Sequence, residues 1–296
     1  MPQTRLYLSA RKPELWHIAS ILDPYFEEEG ITSVLFETVQ GNGEWCYSVY
    51  VETDAADTTA QLMRDRLGND TFGLAIEREE LEDQDWVSQT LTELAPVRAG
   101  RFLVHGSHDR DQAHTARIAV EVDAGQAFGT GHHGTTAGCL DMLEHCMRQW
   151  QGPMGPPRRA MDIGTGSGVL AIALAKACPI PVLATDIDPI ATHVARENCR
   201  LNGVASNVTC ATATGFNNPA FARFGPADLI MANILARPLE ALAPAMARNV
   251  TGGARVILSG LLPHQQARIV AAYRRQGMVF KHAHIRDGWL TLVMQA

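Results

Sequence analysis

The chain has no C-x-x-C pair: its six cysteines, Cys46, Cys139, Cys146, Cys178, Cys199 and Cys210, are scattered singly. Disulfide frameworks belong to small secreted chains and zinc sites need closely spaced ligands, so six reduced thiols and no metal site are predicted. No apolar run approaches the roughly 20 residues of a membrane span; the longest, around Val169 to Ala175, stops at Lys176. Met1-Pro2-Gln3-Thr4-Arg5 lacks the basic start and apolar core of a secretion signal, so a cytoplasmic protein without membrane attachment is expected. A basic surplus is also missing. The 25 Lys and Arg against 32 Asp and Glu leave a formal charge of −7, which argues against direct nucleic-acid binding and permits a basic protein partner. Repeats and low-complexity segments are absent, and 46% hydrophobic with 19% charged residues over 296 positions excludes disordered and fibrous classes.

What is present is a change of rhythm along the chain. Strand-like segments at 6–8, 34–39, 46–51 and 74–77 alternate with amphipathic segments at 13–29 and 58–67. That βαββαβ order predicts a small α+β ferredoxin-like domain over residues 1–80. Residues 80–94 are charged and helix-compatible until Pro96, so 81–100 reads as a linker helix and connection to a main domain, 101–296. Two strands, 102–105 and 118–122, open that domain. Helices at 135–150, 168–177, 190–202, 235–248 and 264–276 then alternate with strands at 159–163, 181–185, 227–232 and 254–258, which predicts a parallel, doubly wound α/β sheet. The tail differs: strands at 279–285 and 289–294 flank Arg286-Asp287-Gly288, a hairpin turn.

Chemistry first concentrates in Met161-Asp162-Ile163-Gly164-Thr165-Gly166-Ser167-Gly168, which follows a strand and opens a helix. Glycines let the chain turn sharply and bring backbone N–H groups against a ligand. The spacing is G-x-G-x-G rather than the G-x-G-x-x-G of dinucleotide binders, and no P-loop lysine follows. Asp186, at the end of the next strand, can accept both hydroxyls of a ribose. A plain strand-to-helix turn is the bland alternative. With the closing antiparallel hairpin, these residues resemble the Rossmann-like S-adenosylmethionine-dependent methyltransferases. The resemblance implies a seven-stranded sheet and S-adenosyl-L-methionine as cofactor. Gly164, Gly166 and Gly168 would surround its methionine and ribose, Asp186 would hold the ribose hydroxyls, and Asp188 would lie toward the adenine.

Two further segments carry candidate residues. Asn233-Ile234-Leu235 ends a strand where methyltransferases acting on planar nitrogens carry Asn-Pro-Pro-Tyr, so no aromatic ring is offered for stacking and a tetrahedral amine fits better. Asn233 as N-cap of the following helix is the bland reading and is compatible with a site role. Phe128-Gly129-Thr130-Gly131-His132-His133-Gly134-Thr135-Thr136 is rich in glycine and hydroxyl donors, with Thr135 or Thr136 as a candidate helix cap.

Together the four ordered motifs, Phe-Gly-Thr-Gly-x-His-x-Thr-Thr, Asp-x-Gly-x-Gly-Ser-Gly-x-Leu-Ala-Ile, Asp-Ile-Asp-Pro and Ala-Asn-Ile-Leu-Ala-x-Pro-Leu, resemble the bacterial methyltransferases of large-subunit ribosomal protein L-eleven (L11) across nearly the whole chain. Leu258-Ser259-Gly260 and the βαββαβ start match as well. The resemblance implies cofactor contacts from Thr136, Gly164, Asp186 and Asn233. Phe128, Gly129, Thr130, Gly131, Thr135, Ile234 and Leu235 would cover cofactor and substrate, and the substrate would be L11, methylated on lysine amines and the N-terminal α-amine. Asn233 and the next carbonyl are candidates to orient the amine, with His133 as a helper, in a chain expected to be a monomer. The sequence departs from the family pattern at His132 and Gly134 in place of Thr and Pro, at Thr165 in place of Cys, and at Thr90 in place of a second Trp. Rival readings are a lysine methyltransferase of another protein, a nucleobase methyltransferase, a nicotinamide dehydrogenase and a non-catalytic assembly factor.

Overall fold

The computed structural model describes residues 3–29, 31–38, 43–68, 70–81, 96–122, 133–150 and 155–296. The chain divides into two compact units, residues 1–88 and 89–296, and the division falls within the predicted 81–100 connection. Most of that connection, including Asp85, Trp86 and Thr90, lies outside the described residues, as do Phe128 to His132.

In the first unit, β1 (Gln3–Arg11), α1 (Lys12–Glu29), β2 (Thr32–Glu37), β3 (Glu44–Glu52), α2 (Ala56–Leu67) and β4 (Glu77–Leu81) follow one another. The strands form one antiparallel sheet in the order β2-β3-β1-β4. Alternate side chains of β1 and β3 (Leu6 and Leu8; Tyr47, Val49 and Val51) meet Leu15, Ile18, Leu22, Phe26 and Met63 of the helices in one core. The fourth strand is not at 74–77. It is the polar segment Glu77–Leu81, which has no apolar alternation to reveal it. Cross-strand partners hold it instead: Arg5 meets Glu79 at 2.9 Å and Tyr7 donates to Glu77 at 2.7 Å, each directly opposite on β1.

The second unit opens with β5 (Val97–Ala99), β6 (Phe102–His105) and β7 (Ile118–Glu121), a small sheet of their own. Then come α3 (His133–Gln149), β8 (Ala160–Ile163), α4 (Val169–Ala177), β9 (Val182–Asp186), α5 (Pro189–Leu201), β10 (Val208–Thr212), α6 (Pro219–Phe224), β11 (Ala227–Asn233), α7 (Ala236–Arg248), β12 (Val250–Leu261), α8 (Gln266–Arg274), β13 (Val279–Arg286) and β14 (Trp289–Gln295). The seven-stranded sheet runs β10-β9-β8-β11-β12-β14-β13, parallel through β12 and antiparallel at β14 and β13. This is the mostly parallel α/β sheet with a closing antiparallel pair that the methyltransferase resemblance implies. The sequence rhythm does not reveal β10, α6 or β5, which lies inside the predicted 81–100 connection. An edge strand reading Val-Thr-Cys-Ala-Thr is only half covered and shows no continuous apolar run.

Side chains of the central strands divide between two cores. Leu229 and Met231 join the core that includes α4, while Met161, Ile163, Ile230 and Ala232 join the one that includes α7 and α8. Val169 to Ala175 are buried on every side of α4 until Lys176, which explains why that segment resembles a short membrane run without being one. Among the described residues no helix is long and apolar enough to cross a membrane. Asp287 and Gly288, both at positive φ (49° and 84°), close a two-residue turn between Arg286 and Trp289.

Candidate active site

Successive strands leave β8 in opposite directions, β9 and β10 on one side and β11 and β12 on the other. Such a switch point opens a crevice beyond the carboxyl ends of the strands. Register brings the candidate segments to that edge: Ile163 pairs with Thr185 on one side and Ala232 on the other, and Asn233 pairs with Ser259.

The glycine loop is built by its own backbone bonds. Gly164 and Thr165 both donate to the Thr185 carbonyl, at 2.8 and 2.9 Å, and Gly168 donates to the Thr165 carbonyl at 2.8 Å. Gly164 and Gly168 sit at φ of 72° and 86°, a region L side chains avoid. Gly168 provides no side-chain cap to α4, and Asp162 does that work: its Oδ2 accepts from the Ala171 N–H at 3.1 Å and the Thr165 hydroxyl at 2.6 Å. Asp186 is gripped at both oxygens, by the Gly166 N–H at 2.8 Å and the Asp188 N–H at 3.1 Å. A carboxylate has about four acceptor positions, so two remain for a ligand. Asp188 has a duty of its own as N-cap of α5, accepting from Ile190 N–H at 2.7 Å. Ile187 beside it is 67% exposed, an apolar surface next to the gripped carboxylate.

Across the crevice, Asn233 is not the cap of the following helix. Leu235 holds that position, α7 starts at Ala236, and the Asn233 carboxamide donates instead to the Thr135 hydroxyl at 3.2 Å. Thr135 and Thr136 are likewise not caps, since α3 already begins at His133 and both lie buried in its first turn. Gly134 fits where the family pattern has proline: a Cβ there would lie 2.8 Å from Trp289 Cδ1 and 3.1 Å from the Arg286 carbonyl. Ile234 is clasped between two glycines. A Cβ on Gly164 would stand 2.2 Å from Ile234 Cγ2, and one on Gly260 would stand 2.4 Å from the Ile234 carbonyl oxygen. Leu235 next to it is half exposed.

Gly164→Ala is therefore expected to destabilise the second unit by about 2 kcal/mol, from positive φ plus overlap with Ile234. A thermal melt that matches wild type would refute this close approach.

A model of the family described as "Ribosomal protein L11 methyltransferase (PrmA)" matches residues 19–296. The chain belongs to this family. It is 48% identical over 294 residues to the ribosomal protein L11 methyltransferase of Rhizobium meliloti (strain 1021), covering 99% of both chains. It is 47% identical over 293 residues to that of Brucella suis (strain ATCC 23445 / NCTC 10510), again covering 99% of both. A crystal structure of ribosomal protein L11 methylase from Lactobacillus delbrueckii subsp. bulgaricus is 28% identical, with a TM-score of 0.57 over 67% of this chain and 97% of that one. Membership of the L11 methyltransferase family makes the chain a methyl-transferring enzyme.

Within that family frame, the glycine loop, Asp186 and the Asn233-Ile234 segment are brought to one crevice edge. His133 opens α3, and Thr135 rather than Thr136 is the residue bonded to Asn233. Asp162, Ile187 and Gly260 carry roles that the sequence motifs alone do not reveal. A signal for Asp162 existed: a carboxylate in the otherwise apolar strand Ala160-Met161-Asp162-Ile163 is out of place unless something needs it.

Proposed function

We propose that this enzyme uses S-adenosyl-L-methionine to methylate amines of ribosomal protein L11, on lysine side chains and the N-terminal α-amine. The observation that carries the reading is the meeting of a glycine loop and gripped Asp186 with the clasped Asn233-Ile234 segment at one strand edge. The residues suit the cofactor. Asp162 is fully buried, yet its Oδ1 has no hydrogen-bond partner, which leaves an acceptor under the glycine loop for a ligand donor. Gly164, Gly166 and Gly168 would line its methionine and ribose, Asp186 the ribose hydroxyls, and Ile187 and Asp188 the adenine side, with Thr136 a further contact. The bound cofactor supplies a methyl group already activated on a sulfonium.

The protein's work is then alignment and exclusion of water. A lysine amine titrates at about pH 10.4 in water, and only its neutral form has the lone pair that attacks. Asn233 Oδ1, on the side of the carboxamide away from Thr135, and the Ile234 carbonyl would accept the two N–H bonds of a neutral amine and turn its lone pair toward the methyl group. Ile234 and Leu235 give that amine an apolar setting, which favours the uncharged form. By the family resemblance, Phe128, Gly129, Thr130 and Gly131, which lie outside the described residues, would cover both ligands, with His133 as helper. The first unit, read as a ferredoxin-like recognition domain on the 81–100 linker, would hold L11. A cytoplasmic monomer that does not bind nucleic acid completes the reading.

Intact-mass spectrometry of purified L11 incubated with the enzyme and S-adenosylmethionine tests it. Stepwise methyl additions are expected, and Asn233→Ala should cut the rate about tenfold, the loss of one aligned hydrogen bond. No addition by an enzyme that binds S-adenosylhomocysteine would remove L11 as target. Wild-type turnover in Asn233→Ala would remove the role of Asn233.

A further inference from the structure

We propose that Ser259 of β12 and Thr291 of the C-terminal hairpin are positioning residues for methyl transfer, acting on Asn233 through Thr135; this rests on the role given to Asn233 above. The three hydroxyl residues are almost wholly buried, at 4% exposure for Thr135, 0% for Ser259 and 1% for Thr291. Buried hydroxyls need hydrogen-bond partners, and these find them in one another and in backbone, with the buried Cys139 thiol also against Ser259. Ser259 Oγ donates to the Thr135 carbonyl at 3.3 Å. That uses its one hydrogen, so the 2.8 Å contact between Ser259 and Thr291 has Thr291 as donor. Thr135 is thus held at its carbonyl by Ser259 while its hydroxyl accepts the Asn233 amide at 3.2 Å.

The direction matters for chemistry. Because the Nδ2 end of Asn233 is tied to Thr135, the Oδ1 end is the one turned away as acceptor. Any shift of Thr135 rotates or frees that carboxamide. Packing fixes the same geometry: a Cβ on Gly138, three residues after Thr135 on α3, would lie 2.5 Å from Thr291 Oγ1. Together with the close approach of Gly134 to Trp289, this seats the first two turns of α3 on the hairpin at near-backbone distance. The hairpin, remote in sequence from every glycine-loop residue, is therefore wired to the amine-orienting side chain.

The test is a double-mutant cycle on the full-length enzyme with L11 as substrate, reading kcat, S-adenosylhomocysteine affinity and Tm. Thr291→Val should lower kcat about fourfold and leave S-adenosylhomocysteine affinity within about twofold, and Thr291→Ser should restore kcat. In an Asn233→Ala background, Thr291→Val should change kcat by less than about 1.5-fold, since the group it positions is gone. Equal losses in both backgrounds would overturn the proposal, because a purely structural hydroxyl acts regardless of Asn233. Wild-type kcat in Thr291→Val would overturn it too, while a large loss in Asn233→Ala would leave the reading of Asn233 standing. If Asn233→Ala itself kept wild-type kcat, that reading would fall and the proposal with it. Ser259→Ala enters the same cycle if Thr291→Val does not fold.

Discussion

Asp186→Ala is expected to weaken S-adenosylhomocysteine binding by more than about 100-fold and to abolish measurable methylation of L11. Two losses add. The ribose would lose a charged acceptor for its hydroxyls, and hydrogen bonds to charged groups contribute about 1.5–3 kcal/mol each. The glycine loop would also lose an anchor, since Asp186 holds the Gly166 N–H at 2.8 Å and the Asp188 N–H at 3.1 Å. A total near 3–4 kcal/mol corresponds to a factor of about 150 to 900 in Kd. Asp186→Asn separates the two contributions: its carbonyl oxygen can keep one amide bond without the charge, so it should fall between wild type and Asp186→Ala. Calorimetric titration decides, and an alanine variant that binds within about threefold of wild type would remove Asp186 from the cofactor site.

Much of this was legible in the sequence because the informative residues are punctuation. Gly164, Gly168 and Asp287-Gly288 stand at positive φ, which few other residues tolerate, so turn positions and motif spacing survive in the letters. The alternation of strands and helices after Thr135 is written in apolar runs that a doubly wound sheet must bury. What escaped was held by contacts between distant segments. The strand Glu77–Leu81 depends on Arg5 and Tyr7 about seventy positions away, and β10 is an edge strand with half its side chains in water. The partner of Asn233 is Thr135, 98 positions earlier, and the hydroxyl line continues to Thr291. A local reading assigns Asn233 and Thr135 as helix caps because capping is what such residues do next to helices. Only the fold shows that each instead faces the other.

Asp162→Asn is expected to weaken S-adenosylhomocysteine binding by about 50-fold and to flatten a pH dependence that wild type should show. Burial pushes the Asp162 carboxyl up to about 6 from its ordinary 3.8, opposed by the Thr165 hydroxyl and the Ala171 N–H and reinforced by the charge of Asp186. Because the folded value lies above the unfolded one, its contribution to stability is full below about pH 4 and is lost as pH rises through about 6. Two units are worth about 3 kcal/mol, of which roughly half is lost between pH 5 and pH 8. That is about 3–6 °C in the Tm of a unit this size, and Asp162→Asn should not show it. The enzyme thus carries a buried, partly unpartnered carboxylate at neutral pH, a destabilising feature that makes sense where a ligand donor completes it. Thr165, in place of the family's cysteine, gives that carboxylate a 2.6 Å hydroxyl bond and helps keep it ionised. If the ligand binds only the ionised form, wild-type affinity should rise about fourfold from pH 5.5 to pH 8, following the ionised fraction. Titrations at both pH values that give equal Kd, with Asp162→Asn binding as wild type does, would leave Asp162 as a helix cap alone.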